Sequence, residues 1–196
     1  IGFETTAPLI EITIINAKTS NLHNFWVYPL LKLVPPALHI LLNNNEKLGL
    51  DALILPGHVS AILGRKAFNF ISDYQMPAVV SGFEDVDLLN GLYKSLHLIM
   101  GRKNEIVNAY AHVVSDKGNI IAQELIDQCF ATEEKTFWRG LGSLPESGLM
   151  LKEDYSSYDA RSYFETTVNG SSTDLGCLCG EVVTGLIKPA ECPLFG

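Results

Sequence analysis

Short apolar runs that end in turn or polar residues alternate along this chain with longer stretches whose apolar positions recur at helical spacing. That rhythm is the β-α-β pattern of a parallel sheet. The strand-like runs are Asn24 to Tyr28, Asp51 to Leu55, Pro77 to Ser81 and Glu105 to Asn108, and the opening Ile1-Gly2-Phe3-Glu4 reads as the tail of a further strand. Helix-like runs cover Ala7 to Ala17, Pro36 to Asn43, Ala61 to Asp73 and Asp85 to Met100. Pro36 suits a first helical turn, where its missing N–H costs nothing. The expected class is α/β: a doubly wound, Rossmann-like parallel sheet over residues 1–118.

From about Asn119 the pattern loosens. A helix through Phe130 is expected to lead into a loop-rich region, so that residues 119–168 pack on the α/β core. Asn169-Gly170-Ser171-Ser172-Thr173 reads as a surface linker. It leads into a cysteine-containing segment, residues 169–196. The first residue is Ile1 rather than Met, and the chain is taken as an interior fragment of a longer protein.

In a doubly wound sheet, ligands gather where strands end and helices begin, because helix N-termini offer free N–H groups there. Three polar motifs fall at such junctions: Gly2-Phe3-Glu4-Thr5-Thr6-Ala7-Pro8, Pro56-Gly57-His58-Val59-Ser60 and Ser81-Gly82-Phe83-Glu84. They are expected to line one crevice. His58 offers an imidazole as base, proton relay or ligand; its plainer use is to cap the following helix. Glu4 and Glu84 both follow Gly-Phe, and two carboxylates at one crevice can position a proton or lock helix N–H groups. Thr5 and Thr6 are N-cap candidates. His23, His39, His97 and His112 have no partner at metal-ligand spacing and read as structural or solvated, and Arg139 reads as part of a structural stack.

Composition narrows the classes of function. The 196 residues are 47% hydrophobic and 18% charged, enough to bury a real core. A formal net charge of −8 and a pI near 5.0 argue against non-specific nucleic-acid binding and a polybasic membrane anchor. No apolar run approaches the ~18–20 residues that span a bilayer, and no signal pattern opens the chain, so a soluble cytoplasmic protein is expected. No phosphate-cradling Gly-x-x-x-x-Gly-Lys run and no Gly-x-Ser-x-Gly elbow occurs.

The cysteines carry the sharpest local signal. Cys177, Cys179 and Cys192 put three of the four cysteines within sixteen positions, on a segment bent by Gly and Pro. Turns of that kind let several sulfurs converge on a soft metal or an iron–sulfur centre. Structural zinc is the rival, although the paired Cys-x-x-Cys knuckles of a zinc ribbon are missing. Cys129 reads as a small buried hydrophobe on a helix.

The motifs occur in a recognisable order. Gly2-Phe3-Glu4-Thr5-Thr6-Ala7-Pro8, Asn24-Phe25, Pro35-Pro36-Ala37-Leu38, Pro56-Gly57-His58-Val59-Ser60, Gly82-Phe83-Glu84, Trp138-Arg139-Gly140-Leu141-Gly142 and Ser147-Gly148-Leu149 are followed by Cys177-x-Cys179-Gly180-Glu181-Val182 and Pro189-x-Glu191-Cys192-Pro193-Leu194-Phe195-Gly196. Together they resemble the HypD family of hydrogenase maturation factors, of whose members this sequence covers about the middle and later half. The family's upstream Cys-Gly-Thr-His segment, its Cys-Pro-x-Cys pair and its further downstream cysteines lie outside it.

The resemblance implies a scaffold and redox role in building the iron centre of nickel–iron hydrogenases. It implies a complex with a HypC-like small chaperone, a HypE-like cyanide donor, an iron that receives cyanide and carbon monoxide, and a 4Fe-4S cluster. Matched by motif, Cys177 and Cys192 correspond to two cluster ligands and Cys179 to a third candidate. His58 and the Glu4-Thr5-Thr6 turn match motifs facing the family's cleft. Two departures stand out: Asp85 occupies the place of the family's proline after Gly-Phe-Glu, and His112 stands where an arginine is expected. The rival reading is a cleft hydrolase or transferase using His58 and Glu4, with zinc at the C-terminal cysteines.

Overall fold

A computed structural model describes residues 1–43, 48–164 and 176–195; the expected linker at 169–173 lies outside the described residues. In chain order the elements are α1 (Ala7–Thr19), β1 (Leu31–Lys32), α2 (Val34–Asn43), β2 (Leu53–Pro56), α3 (Gly57–Leu63), β3 (Ala78–Ser81) and α4 (Asp85–Met100). They continue as β4 (Ile106–Asn108), α5 (Ile120–Cys129), β5 (Phe130–Trp138), β6 (Gly142–Leu151), α6 (Ala160–Tyr163) and α7 (Cys179–Val183). The chain is mixed α/β and divides into two compact units, Val34–Glu124 and a second one made of Ile1–Leu33 with Leu125–Gly196. No helix among the described residues is long and apolar enough to cross a membrane.

The 34–124 unit holds a parallel sheet in the order β2-β3-β4, with Leu53 opposite Ala78 and Ala78 opposite Ile106. These are three of the strands that the apolar runs predict. All four β3 residues are buried, as their uninterrupted apolar character requires of a central parallel strand. Leu42, Leu55, Phe68, Ile71, Val80 and Val114 form the core with them. Helix α4 has the predicted limits, and its first-turn Asp85 and Asp87 and last-turn His97 suit the helix dipole. Its inward face is made of Gly91, Ser95 and Leu98. A Cβ at Gly91 would lie 2.7 Å from Ser81 Oγ, so the missing side chain is what lets α4 lie against β3.

The expected helix from Ala61 to Asp73 is two elements. Gly64, at φ +85°, ends α3, and a 3-10 segment, Arg65–Tyr74, follows. The break is held from outside the run: a Cβ at Gly64 would strike the Lys117 backbone, and Arg65 Nε donates to Asp116 Oδ1 at 2.7 Å. No local signal in the periodicity carries that tertiary constraint.

The other unit is built on an antiparallel sheet in the order β1-β6-β5. The region read as loop-rich, 119–168, contains the long β5–β6 hairpin, and Phe130, read as helical, opens β5. Gly148 is required inside β6, because a Cβ there would strike Thr136 Oγ1 on the paired strand. The run Asn24 to Tyr28 forms no strand; Val27 makes only an isolated bridge to Asp159. Its aromatic content serves ring packing instead, Trp26 lying 4.9 Å from Tyr163 and 5.7 Å from Phe164 between centroids.

Two buried acids sit in this unit on different terms. Asp159 caps α6 by accepting from Arg161 N at 2.9 Å, and the Arg161 guanidinium grips its carboxylate, with Nη2 donating to Oδ2 at 2.7 Å. Arg161 Nη1 also reaches Glu133 Oε1 at 3.4 Å. Arg161→Ala leaves a buried carboxylate with its guanidinium removed, and is expected to cost about 2 kcal/mol in chemical denaturation. Glu11, on α1, is buried without such a partner: neither carboxyl oxygen finds a well-formed hydrogen bond among the described residues. Its neighbour is Cys129 at the end of α5, also fully buried.

Candidate functional site

In the 34–124 unit, polar and aromatic side chains collect where β2, β3 and β4 end. β2 runs directly into α3, which puts His58 at the second helical position, exposed. The imidazole packs edge-on against Phe83, 4.8 Å between centroids. Beyond β3, Glu84 takes the N-cap of α4 and Asp87 follows three residues on, which places both carboxyls on the same side of the first turn. Beyond β4 come buried Tyr110 and exposed His112, their rings 4.7 Å apart. Asn108 holds that turn by accepting from Tyr110 N at 3.0 Å and donating to Val114 O at 2.7 Å.

Gly82 is where these groups converge. A Cβ built on it would lie 2.6 Å from Asp87 Oδ2, 2.9 Å from Glu84 Oε2 and 2.6 Å from the Tyr110 ring. The backbone N–H of Glu84 and the Asp87 carboxyl hold Glu84 below the usual carboxylate range, with His58 adding to the effect. Partial burial and the hydrogen bond to Glu84 push Asp87 up, against the pull of His112. Burial and the two carboxylates push the Tyr110 phenol up as well. The pair therefore divides its labour, Glu84 as the stronger acid and Asp87 as the proton holder, with an imidazole beside each.

Of the residues singled out in the sequence, His58 and Glu84 are brought together here. Asp87, Tyr110 and His112 were missed as functional, although two signals pointed to them: the three-residue spacing from Glu84, and a place just after a strand end. Ser60, the nucleophile a hydrolase would need, is buried and donates to Pro56 O at 2.9 Å, so the cleft-hydrolase reading gains no support.

Glu4, Thr5 and Thr6 belong to the other unit, between the Gly2–Leu31 bridge and α1. Glu4 is buried, and Thr6 stands at the N-cap of α1 with no hydrogen bond from its side chain to the helix. Gly2 is fixed by that turn, since a Cβ there would strike the Thr6 side chain.

The C-terminal cysteines also lie in this unit. Cys177 Sγ donates to Cys179 Sγ across 3.0 Å, and Arg139 Nη2 stands 3.7 Å from Cys177 Sγ. Hydrogen bonding from Cys179, then from Arg139, lowers the Cys177 thiol, while Cys179 is raised by its partner. The pair is held against the β5–β6 turn by a close approach of two glycines: a Cβ at Gly140 would lie 2.8 Å from Gly180 N, and Gly140 has φ +83°. Cys192 is buried and near enough to weigh on Cys179. Among the described residues no group of three or more metal-ligating side chains is assembled at one point.

Comparison with known proteins agrees over the whole chain. The HypD profile, described as the hydrogenase formation hypA family, matches residues 1–196. The hydrogenase maturation factor HypD of Escherichia coli is 40% identical over 197 residues, covering 100% of this chain and 52% of that protein. The HypD of Rhodobacter capsulatus is 37% identical over 201 residues, covering 100% of this chain and 53% of the relative. A hydrogenase expression/formation protein of Methanocaldococcus jannaschii is 34% identical over 197 residues, with 100% and 54% covered. The chain thus spans about half the length of the curated relatives it matches. It belongs to the HypD family of hydrogenase maturation factors.

Proposed function

We propose that this chain supplies the proton-handling groups and part of the thiol set of a scaffold that assembles the iron centre of nickel–iron hydrogenases. The observation that carries the reading is the cluster at the ends of β2, β3 and β4, where His58, Glu84 and Asp87 meet beside Phe83 and Tyr110. An imidazole and a carboxyl pair of unequal acidity can take up and release a proton at one place, which ligand transfer to a metal requires. The iron and its cyanide and carbon monoxide ligands are cargo in this scheme. A HypC-like small chaperone is the partner that shares the iron, and a HypE-like protein donates cyanide. A doubly wound, Rossmann-like arrangement of the parallel sheet accounts for the site's place at the strand ends.

The thiols suit a cluster by their chemistry. Cys177 and Cys179 already stand 3.0 Å apart with an arginine favouring the thiolate, and Cys192 is close by. Cys177, Cys179 and Cys192 would contribute to holding a 4Fe-4S cluster, which supplies electrons when bound, together with ligands from outside this sequence. Glu4, Thr5 and Thr6 would shape the cleft from the unit that carries them.

The test is infrared spectroscopy on the intact protein, purified without oxygen together with its small chaperone partner. Isolated cyanide and carbon monoxide stretching bands are expected, and His58→Ala is expected to remove most of their intensity while the protein stays folded. Undiminished bands in that variant would take His58 out of the site.

A further inference from the structure

We propose that two copies of this protein associate through the outward faces of α4, paired antiparallel about a two-fold axis. The proposal is independent of the role of the His58–Glu84 cluster. It begins with exposure: Val86 is 78% exposed, Leu89 66%, Tyr93 61%, Leu96 58% and Met100 84%. These residues follow one another at intervals of three, four, three and four, the a and d positions of a heptad that form the seam of paired helices. Leu92 and Ile99, also exposed, widen the stripe on one side. The opposite face, Gly91, Ser95 and Leu98, is the one spent on β3. A helix that covers a sheet ordinarily turns charged residues outward, and a continuous apolar stripe in that position marks an interaction surface.

Charge selects the second copy and its direction. Asp85 and Asp87 occupy the first turn of α4, whereas Lys94 and His97 lie in its second half, with Arg102 and Lys103 just beyond. Antiparallel pairing sets the aspartates of each copy beside Arg102 and Lys103 of the other and opposes the two helix dipoles; parallel pairing would stack like charges at both ends. The chain carries a net charge of −8, so copies repel at a distance, and a face that offers a basic end to an acidic end is one on which they can still meet. Such a pairing is self-complementary and closes at two. Beside the second half of α4 lies a cavity of about 590–600 Å³ bounded by Tyr93, His97, Met100 and the β4 flank at Glu105 and Val107. The antiparallel partner lays Val86 and Leu89 along this hollow. Tyr93 is already set for the seam, its hydroxyl hydrogen-bonded to His97 Nε2 at 3.0 Å.

Sedimentation velocity of the intact protein over a concentration series tests the pairing. A monomer–dimer equilibrium is expected, and Leu89→Asp with Leu96→Asp is expected to leave only monomer with an unchanged circular dichroism spectrum. Asp85→Lys alone and Arg102→Asp alone should each weaken the dimer about tenfold, and the two together should restore most of the loss. A parent protein that stays monomeric throughout overturns the proposal, including the case in which a different protein covers the α4 face. A dimer indifferent to the leucine substitutions and the charge swap overturns it equally.

Discussion

Glu11→Gln is expected to raise the stability of the unit that contains it by about 3 kcal/mol at pH 8 and to leave it nearly unchanged at pH 4. Burial pushes the Glu11 carboxyl from its usual 4.5 up to about 7, with hydrogen bonding from Cys129 pulling it part of the way back. The folded chain therefore holds this proton more tightly than the unfolded chain does. The associated stability is complete below pH 4.5, declines as the unfolded state begins to ionise, and is gone once the pH has risen through about 7. A neutral amide of the same shape removes that decline. Its neighbour offers no relief to the ionised acid, because burial drives the Cys129 thiol up to about 11 and so keeps it protonated. Both tryptophans, Trp26 and Trp138, belong to this unit, so denaturation followed by their fluorescence reports on it selectively. Parent and variant curves that run parallel from pH 4 to pH 8 would show that Glu11 does not titrate in the folded protein.

Legibility of the fold tracked how local its causes are. β2, β3, β4 and α4 could be read because each is a run whose apolar spacing is satisfied within one layer. The β5–β6 hairpin could not. Its first strand carries Thr132, Glu133, Glu134, Lys135 and Thr136 with one side open to water, and its second includes Gly142, Pro145 and Gly148, which look like turn residues until the partner strand is in place. Gly148 is a strand residue only because Thr136 lies against it. Asn24 to Tyr28 failed in the opposite sense, having strand composition but using Trp26 as a packing surface for Tyr163 and Phe164. The site divides the same way. His58 and Glu84 followed from the rule that strand ends carry function, and applying that rule to β4 would have added Tyr110 and His112. What no spacing could reveal is that Gly82 brings Glu84 and Asp87 together, or that the Cys177 and Cys179 sulfurs stand 3.0 Å apart beside Arg139.

Gly57→Ala is expected to cost at least about 2 kcal/mol and to displace His58, making it the most damaging single-methyl change in the 34–124 unit's site. Gly57 is the first residue of α3 and follows β2 with no intervening loop. A Cβ there would strike the carbonyl oxygen of Ser81 and lie 2.7 Å from Tyr110 Cδ1. The obstacle on β3 is backbone, pinned by the pairing of Pro56 with Ser81, so no rotamer change can make room. Either β2 and β3 part at their ends or α3 shifts outward, and both movements carry His58 away from Phe83. Gly101→Ala is the control: its nearest neighbour would be His97 O at 3.1 Å, at the solvent-exposed end of α4, and a loss below about 1 kcal/mol is expected. Urea denaturation gives the two costs, and the His58 ring resonances, shifted by the Phe83 ring in the parent, should move toward free-histidine positions in Gly57→Ala alone. In the maturation complex the same variant should lose its cyanide and carbon monoxide bands to about the extent of His58→Ala, because the imidazole is present but no longer held over the carboxyl pair. Full bands in a Gly57→Ala protein whose His58 signals have moved would show that assembly does not depend on where this imidazole stands.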